Sequence, residues 1–96
     1  MKYLAYWEFD LENREKAFEM QAKAATARKE KPDDFPDTVL GAHNIAGSSK
    51  GLTIFETDDP EKLLQVSLRF SPVVRWKFLP LYPIGTIREL IKEIKQ

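Results

Sequence analysis

The amino-acid sequence predicts an α+β sandwich of order βαββαβ with a helix added at its C-terminus. The first observation behind that prediction is an internal echo. Tyr6-Trp7-Glu8-Phe9-Asp10 runs into Leu11-Glu12-Asn13-Arg14-Glu15-Lys16, and Ile54-Phe55-Glu56-Thr57-Asp58 runs into Asp59-Pro60-Glu61-Lys62-Leu63-Leu64. These are two copies of one strand-to-helix unit, the duplication on which a split βαβ fold is built. The second is a glycine-containing turn, Ala46 to Gly51, set between two short extended segments, which reads as a β-hairpin joining the units. The third is size: 96 residues make one domain, residues 1–96, near the lower end of what a single core stabilises, so burying surface in a partner would help it.

Each element has its own local reason. Tyr3 to Phe9 is aromatic-rich and free of Gly and Pro, which suits a strand inside a sheet. From Leu11 to about Lys31 the chain is rich in Ala, Glu, Lys and Gln, with Ala17, Phe18, Gln21, Ala24, Ala25 and Arg28 at helical spacing and Asp10 placed as N-cap. Pro32 and Pro36 end that helix in a surface loop. Thr38 to Ile45 and Leu52 to Thr57 are the two hairpin strands, with both Gly47 and Gly51 free to take positive φ. Asp59-Pro60 reads as N-cap and first residue of a second helix, with Leu63, Leu64, Ser67 and Leu68 joined by Val66 and Phe70 as its buried stripe and Pro72 closing it.

Val73 to Leu81 alternates Val74, Trp76 and Phe78 on one side with Arg75 and Lys77 on the other, the period of a strand with unlike faces, and Pro80 suits its edge or end. Thr86 and Glu89 have capping-box spacing ahead of the stripe Ile87, Leu90, Ile91 and Ile94, a third helix that must dock on something apolar. Right-handed crossovers put the first two helices on one face of a four-stranded sheet. The bare face calls for a cover, either the third helix or a second copy of the sheet, and homodimerisation is the simplest answer.

Composition excludes several classes. With 43% hydrophobic and 31% charged residues, the chain belongs with folded domains and not with disordered ones. Fifteen basic residues balance fifteen acidic ones, so no net field draws in nucleic acid or an anionic membrane. The RNA-recognition version of this topology also lacks its motif, since the third strand reads Leu52-Thr53-Ile54-Phe55-Glu56 and ends in acid. The absence of cysteine removes disulfides, a thiolate nucleophile and Cys-based metal sites. One histidine with no H-x-x-x-H or paired-carboxylate spacing argues against a protein-only metal site, and Gly47-Ser48-Ser49-Lys50-Gly51 lacks the spacing of a phosphate loop. The N-terminus turns acidic at Glu8 and Asp10 without the apolar run of a signal peptide, and no stretch approaches the roughly 20 apolar residues of a membrane span. A complete, cytoplasmic chain is the expectation.

Lys2-Tyr3-Leu4-Ala5-Tyr6-Trp7-Glu8-Phe9, then Gly47 and Gly51 ahead of Thr53-Ile54-Phe55-Glu56-Thr57-Asp58-Asp59-Pro60-Glu61, then Trp76-Lys77-Phe78-Leu79-Pro80-Leu81, together span nearly the whole chain. In their order and spacing these stretches resemble the dimeric α/β-barrel superfamily of ferredoxin-like domains, and within it a group of short proteins known as DUF3303. The resemblance implies two sheets packed back to back around a central cavity. Superfamily members use that cavity as monooxygenases of polyketide quinones, as a lactone isomerase, or to bind haem or handle peroxide. It carries no catalytic residue over position by position.

The residues offer a candidate site on the face opposite Trp76 and Phe78. Tyr6, Glu8, Ile54 and Glu56 share one parity across the repeat, and Arg75 lies on the neighbouring strand, where opposite charges stabilise one another. These residues either line a cavity or, for Glu8 and Glu56, end their strands in surface ion pairs. His43 is the one side chain that exchanges protons near neutrality at its ordinary pKa. It is either a general base or proximal haem ligand facing the cavity, or a strand histidine satisfied by backbone and solvent. Pairing Ile45 with Leu52 places it on the face of Glu56, and a one-residue shift reverses it. No second residue supports haem, so the cofactor stays open.

The expected function is a homodimer holding a small, mostly apolar ligand between facing sheets, lined by Tyr6, His43, Ile54 and Arg75. Any catalysis would be cofactor-independent proton transfer or oxygenation, with His43 moving protons and Arg75 countering oxyanion charge. The alternative is an assembly or regulatory module whose sheet-to-sheet contact is filled.

Overall fold

The computed structural model describes residues 1–96 and contains four strands and three helices. The strands are β1 (Lys2–Phe9), β2 (Asp37–Asn44), β3 (Lys50–Glu56) and β4 (Val74–Leu81), and the helices are α1 (Arg14–Glu30), α2 (Glu61–Phe70) and α3 (Ile84–Lys95). All strand pairs are antiparallel and the sheet runs β2-β3-β1-β4, the ferredoxin-like order. The sheet is open, with β2 and β4 as its edges, and Pro80 sits on the edge strand β4 opposite Tyr3. An edge tolerates it because the missing N–H has no outer neighbour to bond.

Register decides which side chains share a face. Tyr3, Ala5 and Trp7 stand opposite Phe55, Thr53 and Gly51 on β3, and Ala5, Trp7 and Phe9 stand opposite Phe78, Trp76 and Val74 on β4. This face packs under the helices in two adjoining clusters. Ala5, Phe55, Leu63 and Val66 form one, and Phe9, Ala17, Val73 and Val74 the other. Trp76 joins them, with ring centroids 5.4 Å from Phe70 and 5.8 Å from Phe78. Between α1 and β2, Phe35 and Pro36 are buried, and the Arg69 guanidinium lies 4.6 Å over the Phe35 ring, so the proline-bounded loop is held down at the end that leads into β2.

Several sequence expectations need adjustment. Residues Leu11–Asn13 form a 3-10 turn before α1, and Asp10 contributes only its backbone carbonyl to it, accepting from the Asn13 N–H at 2.8 Å. Its carboxylate points to Arg75 instead of capping. Asp59 does cap α2, with Oδ1 accepting the Glu61 N–H at 3.0 Å. The stripe α2 buries is Leu63, Val66, Ser67 and Phe70; Leu64 and Leu68 are 58% and 64% exposed. The adjacent pair Leu63-Leu64 allows two helical phases, and the sheet selects the one that places Leu63 and Val66 on Phe55. The capping box before α3 is not formed, because the helix already starts at Ile84 and the Thr86 N–H bonds Pro83 O at 3.0 Å within the first turn.

The hairpin slides two residues from the expected pairing, so that His43 opposes Leu52 and Asn44 opposes Gly51, and irregularities follow Thr38 and Leu40. A slide of two preserves facing. Gly47 takes φ of 78° in the turn, where the Asn44 side-chain amide donates to Ser48 O and Lys50 O. Gly51 has a different role from the one expected: it lies within β3 beneath the Trp7 indole, and a Cβ there would collide with that ring and with the His43 carbonyl. Gly51→Ala should therefore cost about 1–3 kcal/mol of stability through overpacking, whereas Gly41→Ala, with nothing within 4 Å of the added carbon, should be near neutral. Chemical denaturation of the two variants measures the difference.

Candidate functional site

The sheet divides the molecule into a helix-covered face and an open face, and the helix-covered face holds an apolar cavity that opens to solvent. The α1 residues that line it are Ala17, Phe18, Gln21, Ala24, Ala25 and Arg28, the spacing visible in the sequence, with Ala17 buried and Phe18, Gln21 and Ala25 exposed. Three alanines among them leave the space between helix and strands unfilled. The result is a cavity of about 290 Å³ bounded by α1, α2, the Phe35 loop and all four strands, close to the lower limit of about 300 Å³ for small-molecule sites. Thirteen of its eighteen lining residues are hydrophobic, and both tryptophans, Trp7 and Trp76, belong to its wall.

The polar groups of the cavity are few. The Trp7 indole N–H donates to Thr53 Oγ1 at 3.3 Å. The Trp76 indole N–H is buried with no acceptor, an arrangement that costs about 1–3 kcal/mol for a donor of this kind. Arg28 is the one charged lining residue. Its guanidinium donates to Thr38 Oγ1 and, at 3.1 Å, to Pro36 O, which holds it against β2 and the end of the Phe35 loop.

The open face carries every residue singled out from the sequence, ordered in cross-strand rows. Lys50, Glu8 and Arg75 form one row; His43, Leu52, Tyr6 and Lys77 the next; then Leu40, Ile54, Leu4 and Leu79; then Asp37, Glu56, Lys2 and Leu81. Tyr6, Glu8, Ile54, Glu56, His43 and Arg75 thus share one face, separated by the sheet from the cavity. Arg75 donates to Glu8 Oε1 and to Asp10 Oδ1, both at 3.4 Å, and Lys50 approaches Glu8 Oε2 at 3.9 Å. The Glu8 hydrogen bond foremost holds the Arg75 pKa above its ordinary value, against desolvation and with help from Asp10. Arg75 is charged at every accessible pH and its carboxylate partners already occupy it.

His43 is exposed on edge strand β2, and its Nδ1 lies 2.7 Å from Gly41 O. A carbonyl accepts only, so the Nδ1–H donates and Nε2 is left facing away from that bond.

A family described as a domain of unknown function, DUF3303, matches residues 1–95. The chain belongs to this family. No curated protein matches the sequence. Within this DUF3303 chain no helix is long and apolar enough to cross a membrane.

Sequence reasoning identified the α1 face but not the space above the sheet. The available signal was the alanine content of that face, where a packed helix ordinarily carries Leu or Ile. On the open face, the Lys50–Glu8–Arg75–Asp10 network is solvent-accessible and its attraction is screened. Glu8→Gln should lower thermal stability slightly in low salt, and the gap to the native chain should close at roughly 1 M salt, where the Debye length is about 3 Å. Melting curves at two salt concentrations make the comparison.

Proposed function

We propose that this protein binds a small, mostly apolar molecule in the cavity between α1 and the sheet. The observation that carries the reading is the apolar, aromatic-walled cavity itself. Filling such a space with side chains would have been straightforward, since one Leu at Ala24 or Ala25 supplies several methyl groups. A ligand filling the space adds apolar burial at about 25 cal/mol per Å². This reading keeps the expected ligand class and moves its location from the open face to the helix-covered face.

The open face supports a second copy of the chain as partner. The accessible surface is 7081 Å², whereas a compact monomer of 11.1 kDa exposes roughly 5,700 Å². The surplus of roughly 1,400 Å² per chain lies in the range that obligate dimers bury. It includes the α3 stripe, whose five large apolar residues from Ile84 to Ile94 are 45 to 82% exposed, and the row Leu40, Ile54, Leu4 and Leu79. In this reading Tyr6, Glu8, Ile54 and Glu56 belong to the contact between protomers.

Thermal-shift screening of small apolar compounds checks the ligand reading, because a molecule bound to the folded state alone raises the midpoint by mass action. Ala24→Leu, which narrows the cavity, should diminish the shifts while leaving the unliganded fold at least as stable. Undiminished shifts in Ala24→Leu would move the ligand elsewhere. Sedimentation equilibrium checks the partner: the native chain should sediment as a dimer and Ile54→Lys as a monomer, and a monomeric native chain at roughly 100 μM would remove the second copy.

A further inference from the structure

We propose that the ligand of the helix–sheet cavity is an aromatic carboxylate whose acid group pairs with Arg28; this rests on the ligand reading above and specifies its chemistry. The argument starts from charge. The chain has fifteen acidic side chains, yet none lines this cavity and none forms an ion pair with Arg28. The half-buried guanidinium is held instead by two neutral acceptors, Thr38 Oγ1 and Pro36 O. Those bonds occupy one hydrogen on each terminal nitrogen. Of the five N–H donors of an arginine, three remain to pair with a carboxylate.

Holding the side chain in advance reduces the rotamer entropy that a long cation otherwise loses on pairing. The apolar remainder of the wall lowers the local dielectric and strengthens an ion pair formed there. Aromatic rings dominate that wall, with Trp7, Phe18, Phe35, Phe55, Phe70 and Trp76 around the space, so a flat aromatic body is the shape complement. A different account of Arg28 is also concrete: it ties the C-terminal part of α1 to β2, where a cation suits the helix dipole. That account makes the fold depend on Arg28 but gives the cavity no preference for acids.

The test uses 2-naphthoate and its neutral isostere 2-naphthamide, titrated calorimetrically into the purified chain at neutral pH and low salt. The expected result is that the acid binds roughly tenfold or more tightly than the amide, as a charge-assisted pair predicts. Arg28→Gln should bring the acid down to the affinity that the same variant shows for the amide. Equal binding of both probes by the native chain, or undiminished acid binding by Arg28→Gln, overturns the pairing while leaving the cavity reading intact. Binding of neither probe overturns both.

If Arg28→Gln fails to fold by circular dichroism, the native chain still decides. The Arg28 Nε–H resonance should move on adding 2-naphthoate and stay in place on adding 2-naphthamide. An unmoved resonance with bound acid overturns the proposal.

Discussion

The contact on which the rest of the structure depends is the Trp7 indole lying across Gly51. Trp7 sits on β1, one of the two central strands, and its ring covers the one position of β3 where a side chain has no room. Its N–H then reaches Thr53 two residues along β3. A slip of β1 on β3 would move Gly51 out from under the ring and break that bond together. The same ring forms part of the cavity wall and stacks 6.1 Å from Phe9, which in turn meets Phe18 of α1 edge-on at 6.3 Å. Register, core and cavity therefore share one side chain.

The cavity follows from an unequal division of volume. The sheet contributes large rings, while α1 contributes alanines, so the aromatic side chains stand up without a complementary surface to meet them. Interiors ordinarily pack at the density of organic crystals, and empty apolar space forfeits dispersion contacts along its whole lining. A stable fold tolerates that loss where something else holds the helix in place. Here the hold comes from the ends: Arg28 on Thr38 and Pro36 at one, and the Phe9, Ala17, Val73 and Val74 cluster at the other.

The architecture was legible in the sequence because each signal was local and reinforced by its neighbours. The doubled strand-to-helix unit, Asp59-Pro60 before α2, and the alternation around Trp76 each specify short stretches whose topology the crossover rule then constrains. What escaped was non-local. The pairing of β2 with β3 slid by two residues because β2 is an edge strand whose residues are all exposed, leaving no buried stripe to pin it. Leu64 and Leu68 were assigned to the buried face because an amphipathic helix with adjacent leucines has two admissible phases. The cavity was missed for a related reason: a run of alanines on a helix face reads as close packing or as vacancy depending on the height of the side chains opposite, which belongs to another segment.

The two faces of this sheet are linked through single strands, not through any shared surface. Along β1, Trp7 points to the cavity and its neighbours Tyr6 and Glu8 point to the open face; along β2, Gly41 and Ala42 line the cavity and His43 reaches back to the Gly41 carbonyl. A side chain on one face and its sequence neighbour on the other cannot move far independently, since the peptide between them is planar and hydrogen-bonded into the sheet. The cavity wall and the open face consequently depend on the same strand geometry. Because β2 is bonded on one side alone and carries two irregularities, the sheet constrains its geometry less than that of β1, which is bonded on both sides.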